Sequence, residues 1–170
     1  HMEVQSATTP ARAYIMNSLL NSVVEEGTAS SLKTLGITYP IAAKTGTTND
    51  SRDAWFVGYT PEILALVWVG FDDGTSMQGT GASAALPIWA DLVKEIPQYM
   101  SGGWFQRPQG VVDMVICAAS GELAIPERCP ETIKEVFLEE LVPTQSCSIH
   151  SVQNPIIKFF NELKDLINGN

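Results

Sequence analysis

The residues best suited to chemistry lie in one short stretch, Lys44-Thr45-Gly46-Thr47. In extended structure alternate side chains share a face, so Lys44 and Gly46 should lie on one face and Thr45 and Thr47 on the other. Gly46 leaves room for a ligand to lie against the backbone. An edge strand with an ammonium group, hydroxyls and unpaired N–H groups can dock an extended peptide, bind its carboxylate and support an oxyanion. An ordinary edge strand with a solvated lysine is the alternative interpretation.

An antiparallel meander of about three strands is predicted to hold this stretch, over residues 41–48, 54–59 and 63–71. Short polar turns separate the strands. The third strand contains an apolar run with no polar face, which is typical of a central strand covered on both sides.

Helices are predicted on either side of the meander in sequence. The first spans residues 11–26, with Thr9 as its cap, and the second spans residues 83–95, with Pro87 near its start or at a kink. A terminal amphipathic helix is predicted over residues 154–167. The first helix should be well buried through an apolar stripe of Tyr14, Ile15, Leu19, Val23 and Val24.

The composition excludes several classes of function. The chain has 170 residues, 45% of them hydrophobic, and a net charge of −9. Nucleic acid and anionic membrane surfaces would repel it. No apolar run reaches the roughly 18 residues that span a bilayer. Lys44-Thr45 lacks the preceding glycine of a phosphate-binding loop, so ATP binding is not expected, and no cofactor is predicted.

Three cysteines lie in the C-terminal part, at Cys117, Cys129 and Cys147. A disulfide between Cys129 and Cys147 would close a loop with few apolar anchors and stabilise it by roughly 3 kcal/mol. Free thiols are the other reading, and Cys117, within an apolar run, is predicted to be a buried thiol. Neither C-x-x-C nor paired histidines occur, so spacing predicts no metal site.

The segments around the lysine resemble a known family. The similarity covers Lys44 to Asp50, Asp53 to Pro61, Val67 to Gly70 and Ala84 to Trp89. Together they resemble the transpeptidase domain of penicillin-binding proteins, and most closely its class A, bifunctional branch. The motif set of that family is S-x-x-K, S-x-N and K-T-G. Only K-T-G occurs here in a convincing setting.

The resemblance implies an α+β fold, a partial penicillin-binding/β-lactamase-like transpeptidase fold. Residues 3–96 would form the C-terminal portion of the transpeptidase domain, and residues 97–108 a linker. Residues 109–150 would form a small extension with β-structure, in which residues 111–119 and 123–125 are expected to be strands. Residues 151–170 would carry the terminal helix.

The resemblance also implies a function, which is peptidoglycan cross-linking by a serine-type D-Ala-D-Ala transpeptidase. Lys44 would supply positive charge and help proton transfer. Thr45, Gly46 and Thr47 would bind the stem peptide or a β-lactam, with the Thr47 N–H as one oxyanion donor. The expected location is the periplasmic or extracytoplasmic face of a bacterial inner membrane, with the anchor in an N-terminal segment outside this chain.

The sequence departs from the family at the nucleophile. No S-x-N occurs, and the one S-x-x-K is Ser30-Lys33, in a polar connection that follows a helix-ending glycine. We therefore expect the chain alone to be inactive, with the upstream half of the domain as its partner. A partial sheet also predicts self-association through an unpaired edge. A non-catalytic binding or scaffold module derived from the same fold is the alternative.

Overall fold

An antiparallel meander lies at the centre of the first part of the chain. Its strands are β1 (Ala42–Thr47), β2 (Asp53–Tyr59) and β3 (Leu64–Gly70), in the spatial order β1-β2-β3. Lys44 pairs with Val57 across β1 and β2. This confirms the predicted antiparallel arrangement, which follows from extended apolar segments joined by turns too short for a crossover.

The computed structural model describes residues 6–151 and residue 159. The chain divides into two compact units that meet in sequence at Pro108 and Gln109. The predicted helix over residues 154–167 lies outside the described residues, apart from residue 159. In the described part of the chain, no helix has both the length and the hydropathy needed to cross a bilayer.

Three α-helices accompany the sheet in the described part of the first unit: α1 (Pro10–Glu25), α2 (Ser31–Thr34) and α3 (Leu86–Glu95). The Thr9 hydroxyl caps α1 by accepting the N–H of Arg12, as the sequence predicts. One π-helical turn, Gly81–Ala85, precedes α3 and is capped reciprocally by Thr80 and Ser83.

The core of the first unit lies between α3 and one face of the sheet. The Trp89 ring packs edge-on against Phe56, with centroids 5.4 Å apart. Its indole N–H donates to the carbonyl of Ala65 at 3.1 Å, so the tryptophan is fixed by packing and by a hydrogen bond. The largest buried side chains around it are Leu32, Ile37, Ile41, Leu86 and Val93.

The predicted burial of β3 and α1 was wrong. In the described sheet β3 lies at an edge, and its Leu64 and Leu66 are 65% and 54% exposed. Leu19 of α1 is 57% exposed, and only Val24 of that helix is buried. An apolar pattern shows that a face avoids water, but it does not show that the same chain covers that face.

The segment of residues 97–108 belongs to the first unit and packs within it through aromatic side chains. Phe105 packs edge-on against Tyr59 at 6.0 Å and against Trp104 at 5.1 Å. The Arg107 guanidinium lies 5.8 Å from the ring centre of Tyr14. These contacts fix the segment to α1 and β2.

The second unit contains a two-stranded antiparallel sheet of β4 (Val111–Cys117) and β5 (Thr132–Leu138). The prediction of β4 is confirmed. The expected return strand over residues 123–125 is wrong, since among the described residues Leu123 forms only isolated bridges, to Ile116 and to Ser146. The partner of β4 is β5, where adjacent Lys134 and Glu135 break the alternation that marks a strand.

Candidate functional site

The outer edge of β1 carries Lys44, Thr45, Gly46 and Thr47. Within the described residues β1 pairs with β2 alone. The N–H of Thr48 donates to the Asp53 carbonyl at 3.1 Å, so main-chain groups of even-numbered β1 residues face β2. By the alternation of an antiparallel ladder, the N–H and C=O groups of Thr45 and Thr47 face the open edge.

Lys44 is exposed, and its ammonium lies at this edge. Its Nζ donates to the Thr45 carbonyl at 2.7 Å. The register places Lys44 beside Val57 on one face of the sheet and Thr45 beside Phe56 on the other. The ammonium is thus held close to the main-chain groups that face the open edge, where an incoming anionic or peptide ligand would meet both.

The threonine hydroxyls at this edge already have protein partners. Thr47 Oγ1 accepts the N–H of Gly81 at 3.0 Å, and Thr45 Oγ1 lies 2.8 Å from Thr28 Oγ1. A hydroxyl that accepts one hydrogen bond keeps its own proton for donation. Thr47 can therefore still donate to a carboxylate while it holds Gly81.

A shallow depression of about 520 Å³ lies at the end of β1, lined by Thr47, Thr48, Asn49, Asp50, Arg52 and Asp53. Arg52 pairs loosely with Asp50 at 3.5 Å, and both side chains are exposed. Asp53 is fixed, because its carboxylate accepts from Thr48 Oγ1 at 3.0 Å and from Trp68 Nε1 at 2.9 Å. The depression thus offers an exposed cation beside a carboxylate that is fixed by hydrogen bonds.

Known proteins resemble this chain in sequence and in fold. Residues 107–152 match the family model for the C-terminal domain of penicillin-binding protein 1A. Penicillin-binding protein 1A of Neisseria gonorrhoeae is 41% identical over 124 residues, 72% of this chain and 15% of that protein. Its counterpart in Pseudomonas aeruginosa is 37% identical over 137 residues, 77% of this chain and 16% of that protein.

The fold comparison agrees with the sequence comparison. The crystal structure of penicillin-binding protein 1A from Haemophilus influenzae superposes with a TM-score of 0.71 at 27% identity. It covers 81% of this chain and 21% of that structure. The chain belongs to the class A penicillin-binding proteins. It corresponds to a C-terminal part of such a protein and spans about 15% of the length of the curated relatives it matches.

The S-x-x-K sequence of this penicillin-binding protein segment lies at α2. Ser30 immediately precedes the helix, and its side chain makes no capping hydrogen bond. The Lys33 ammonium is held by Glu25, at 2.5 Å from the carboxylate and 3.1 Å from the carbonyl. Among the described contacts, the hydrogen bonds of this ammonium go to Glu25 and none joins it to Ser30.

The cysteines of the matched C-terminal domain converge on His150. All three are free thiols in the structure, so the disulfide between Cys129 and Cys147 is not formed, while Cys117 is buried as predicted. The donor atoms of the three cysteines and His150 all lie within 4.8 Å of one another. The spacing rules missed this cluster because its members come from the end of β4 and from separate loops. We call it the Cys3His cluster.

Hydrogen bonds lower the pKa of two thiols in the Cys3His cluster, Cys117 and Cys147, although burial opposes the ionisation of both. Burial opposes ionisation of Cys147, but hydrogen bonds from Ser120 and His150 outweigh it and lower the pKa to about 6. Burial raises the pKa of Cys129. The pKa of His150 is raised, chiefly by its hydrogen bond to Cys147.

Proposed function

We propose that the open edge of β1, from Lys44 to Thr47, is the substrate-binding wall of a peptidoglycan D,D-transpeptidase site. The observation that carries this proposal is the combination of an exposed ammonium and outward main-chain groups on one unpaired strand edge. An extended stem peptide adds to such an edge through main-chain hydrogen bonds. A β-lactam would occupy the same edge.

Each residue of the edge has a role that its position supports. The Thr47 N–H faces the open side of the strand, where it can donate to an oxyanion. The Lys44 ammonium would favour negative charge there and assist proton transfer. The hydroxyls of Thr45 and Thr47 would donate to the terminal carboxylate of the peptide or the carboxylate of the drug.

The nucleophile of this proposed site lies outside the residues of this chain. The Lys33 ammonium is hydrogen-bonded to Glu25, and no described contact joins it to Ser30. An edge that binds and polarises a carbonyl without an attacking group cannot form the acyl-enzyme. We therefore propose that the chain alone is inactive and that the preceding part of a longer protein supplies the serine, its base and the second oxyanion donor.

The exposed sheet face fits a partner of this kind. Trp55, Leu66 and Trp68 share the face that also carries Lys44, and they are 40%, 54% and 43% exposed. We propose that the preceding part of the longer protein covers this face and brings the nucleophile to Lys44. A domain that acts on peptidoglycan would lie on the extracytoplasmic side of the inner membrane.

Acylation by fluorescent penicillin tests the proposal. The isolated chain should not be labelled, whereas the longer protein encoded by the same gene should be. In that longer protein Lys44→Met should slow acylation roughly 100-fold or more, because it removes charge and proton transfer. Lys94→Met is the matched control, since Lys94 lies on α3 and pairs with Asp91 at 3.1 Å.

Two results would contradict the proposal. Labelling of the isolated chain that disappears in Ser30→Ala would show that the nucleophile lies within this chain. Acylation of the longer protein that is equally fast with Lys44→Met and with Lys94→Met would show that the β1 edge is not the substrate wall. That second result would favour a non-catalytic role for this module.

A further inference from the structure

The Cys3His cluster is assembled by backbone hydrogen bonds between separate loops of the second unit. The Cys117 N–H donates to the Glu122 carbonyl at 2.9 Å, and the Cys147 N–H donates to the Leu123 carbonyl at 2.8 Å. Cys129 is held by its N–H to the Ile125 carbonyl at 3.1 Å. Each cysteine is thus fixed through the 122–125 segment, and the sulfurs meet as a result of the fold.

The distances between donor atoms agree with tetrahedral coordination of one small ion. His150 Nδ1 lies 3.4 Å from Cys117 Sγ and 3.2 Å from Cys147 Sγ. Zinc bond lengths at tetrahedral angles predict about 3.5 Å between nitrogen and sulfur and about 3.8 Å between sulfurs. With all four donors within 4.8 Å of one another, shifts of about 1 Å or less would complete the geometry.

Further hydrogen bonds surround the sulfurs as an outer layer. The Ile125 N–H donates to Cys129 Sγ at 3.3 Å, and the His150 N–H donates to Cys147 Sγ at 3.4 Å. The Ser120 hydroxyl donates to Cys147 Sγ at 3.3 Å. Hydrogen-bond donors that point at sulfur stabilise the thiolate, which is the form that binds a metal. They also fix the orientation of the ligand side chains.

The described core of the second unit is small. Among its described residues the buried side chains are Val111, Ile116, Cys117 and Cys147, so half of this small core is cysteine. A core of this size gives little stability by apolar burial. A structural metal is one of the ways in which small domains compensate.

We propose that one structural zinc ion is bound by Cys117, Cys129, Cys147 and His150. Three thiolates and one imidazole form a closed tetrahedral set that favours zinc over magnesium or calcium, which prefer oxygen. The ion has no open coordination position and carries no reaction. Its role is to fasten the 122–125 segment and the end of β4 to the loop that contains Cys147. This inference does not depend on the proposed transpeptidase function.

Metal analysis of the purified chain tests the proposal. The chain is isolated with a reductant and without a polyhistidine tag, equilibrated with zinc and freed of excess metal. Mass spectrometry of the metal should then find about one zinc per chain, and replacement by cobalt should give the visible bands of a tetrahedral thiolate site. A mercurial thiol reagent should release the zinc to an indicator dye.

Substitutions at the ligands identify the site. Cys129→Ser and His150→Ala should lower the affinity for zinc at least tenfold. His150→Cys keeps a donor at that position and should restore the affinity, which a purely structural defect would not allow. Ile149→Ala is the matched control, because it shortens a half-exposed neighbour in the same loop and leaves every ligand in place.

Two results would overturn the proposal. One is a folded, reduced chain that retains below about a tenth of an equivalent of zinc after equilibration. The other is an intact mass that shows a disulfide in the native chain, together with no metal uptake after its reduction. Circular dichroism of each variant separates loss of metal from loss of fold.

Discussion

Gly81 donates its backbone N–H to Thr47 Oγ1 at 3.0 Å, and this bond fastens the turn before α3 to the strand that carries Lys44. The backbones come very close there. A Cβ added to Gly81 would lie 2.6 Å from the Gly46 carbonyl oxygen and 2.4 Å from that of Trp55. The residue before α3 must therefore be small for the β1 edge to keep its shape, whereas a Cβ added to Gly46 would meet the Trp55 side chain, at 3.2 Å.

Gly81→Ala should destabilise the chain by about 1–3 kcal/mol, because backbone atoms must shift to admit the methyl group. Chemical denaturation followed by tryptophan fluorescence measures the change. Gly103→Ala is the matched control, since its Cβ would meet only Ser101 Oγ, at 3.5 Å. Equal stability of the two variants would show that the close contact between Gly81 and Gly46 is not maintained in solution.

Thr47→Val should also destabilise the chain, by about 1–3 kcal/mol, because it leaves the N–H of the buried Gly81 without its acceptor. Thr47→Ser keeps the oxygen and should retain most of the stability. The same denaturation measurement compares the two. If valine and serine variants were equally stable, the Thr47 hydroxyl would have no structural role and would be free for a ligand.

The Glu62 carboxylate should titrate below its ordinary pKa. The Ser101 hydroxyl and the Ser101 N–H both donate to it, and these hydrogen bonds lower its pKa. Because the pKa of Glu62 is lower in the folded state, the ionised carboxylate contributes fully to stability above the ordinary pKa of a glutamate. This contribution is lost as the pH falls through the folded value. Carboxyl NMR titration should show the lowered pKa.

Ser101→Ala removes one of these donors and should raise the pKa of Glu62 towards its ordinary value. It should also make the free energy of unfolding depend less on pH in the same window. The Glu62 carboxylate then has one hydrogen-bond donor fewer to lose when it is protonated. Ser6→Ala is a control, since the Ser6 hydroxyl bonds only locally to the Thr8 carbonyl. An unchanged Glu62 titration in Ser101→Ala would contradict the contact.

Local patterns were enough to predict the meander and the cap of α1. Strand length, turn residues and the threonine before Pro10 each act within a few residues, and the structure confirms β1 to β3 and the Thr9 cap. The role of Lys44 stays a prediction. Lys44 lies on an open strand edge because β1 pairs with β2 alone among the described strands. The sequence indicates that pairing only through the strand pattern and the resemblance.

Long-range relationships account for what the sequence did not predict. β5 pairs with β4 across a long connection. The adjacent polar residues Lys134 and Glu135 interrupt the alternation from which a strand is predicted. The Cys3His cluster joins Cys117 to His150, 33 residues apart, and only its last two members, Cys147 and His150, are close in sequence. A three-residue Cys to His spacing was the available signal, and it is too common to indicate a metal site without the fold.

The isolated chain should self-associate through β3. The strand lies at an edge of the described sheet, and Leu64, Leu66 and Trp68 on one of its faces are 65%, 54% and 43% exposed. An open apolar edge pairs readily with a second copy, because the copy satisfies main-chain groups and covers the apolar side chains together. Sedimentation should therefore show a monomer–dimer equilibrium that depends on concentration.

Leu66→Lys should weaken this dimer at least about tenfold, because a charge on an edge strand must lose water before a second strand can pair with it. Leu141→Lys is the matched control, since Leu141 is 67% exposed and lies in the second unit, away from β3 in sequence. A monomer at every concentration would contradict the edge as an association site. Equal weakening by both substitutions would show that the dimer forms through another surface.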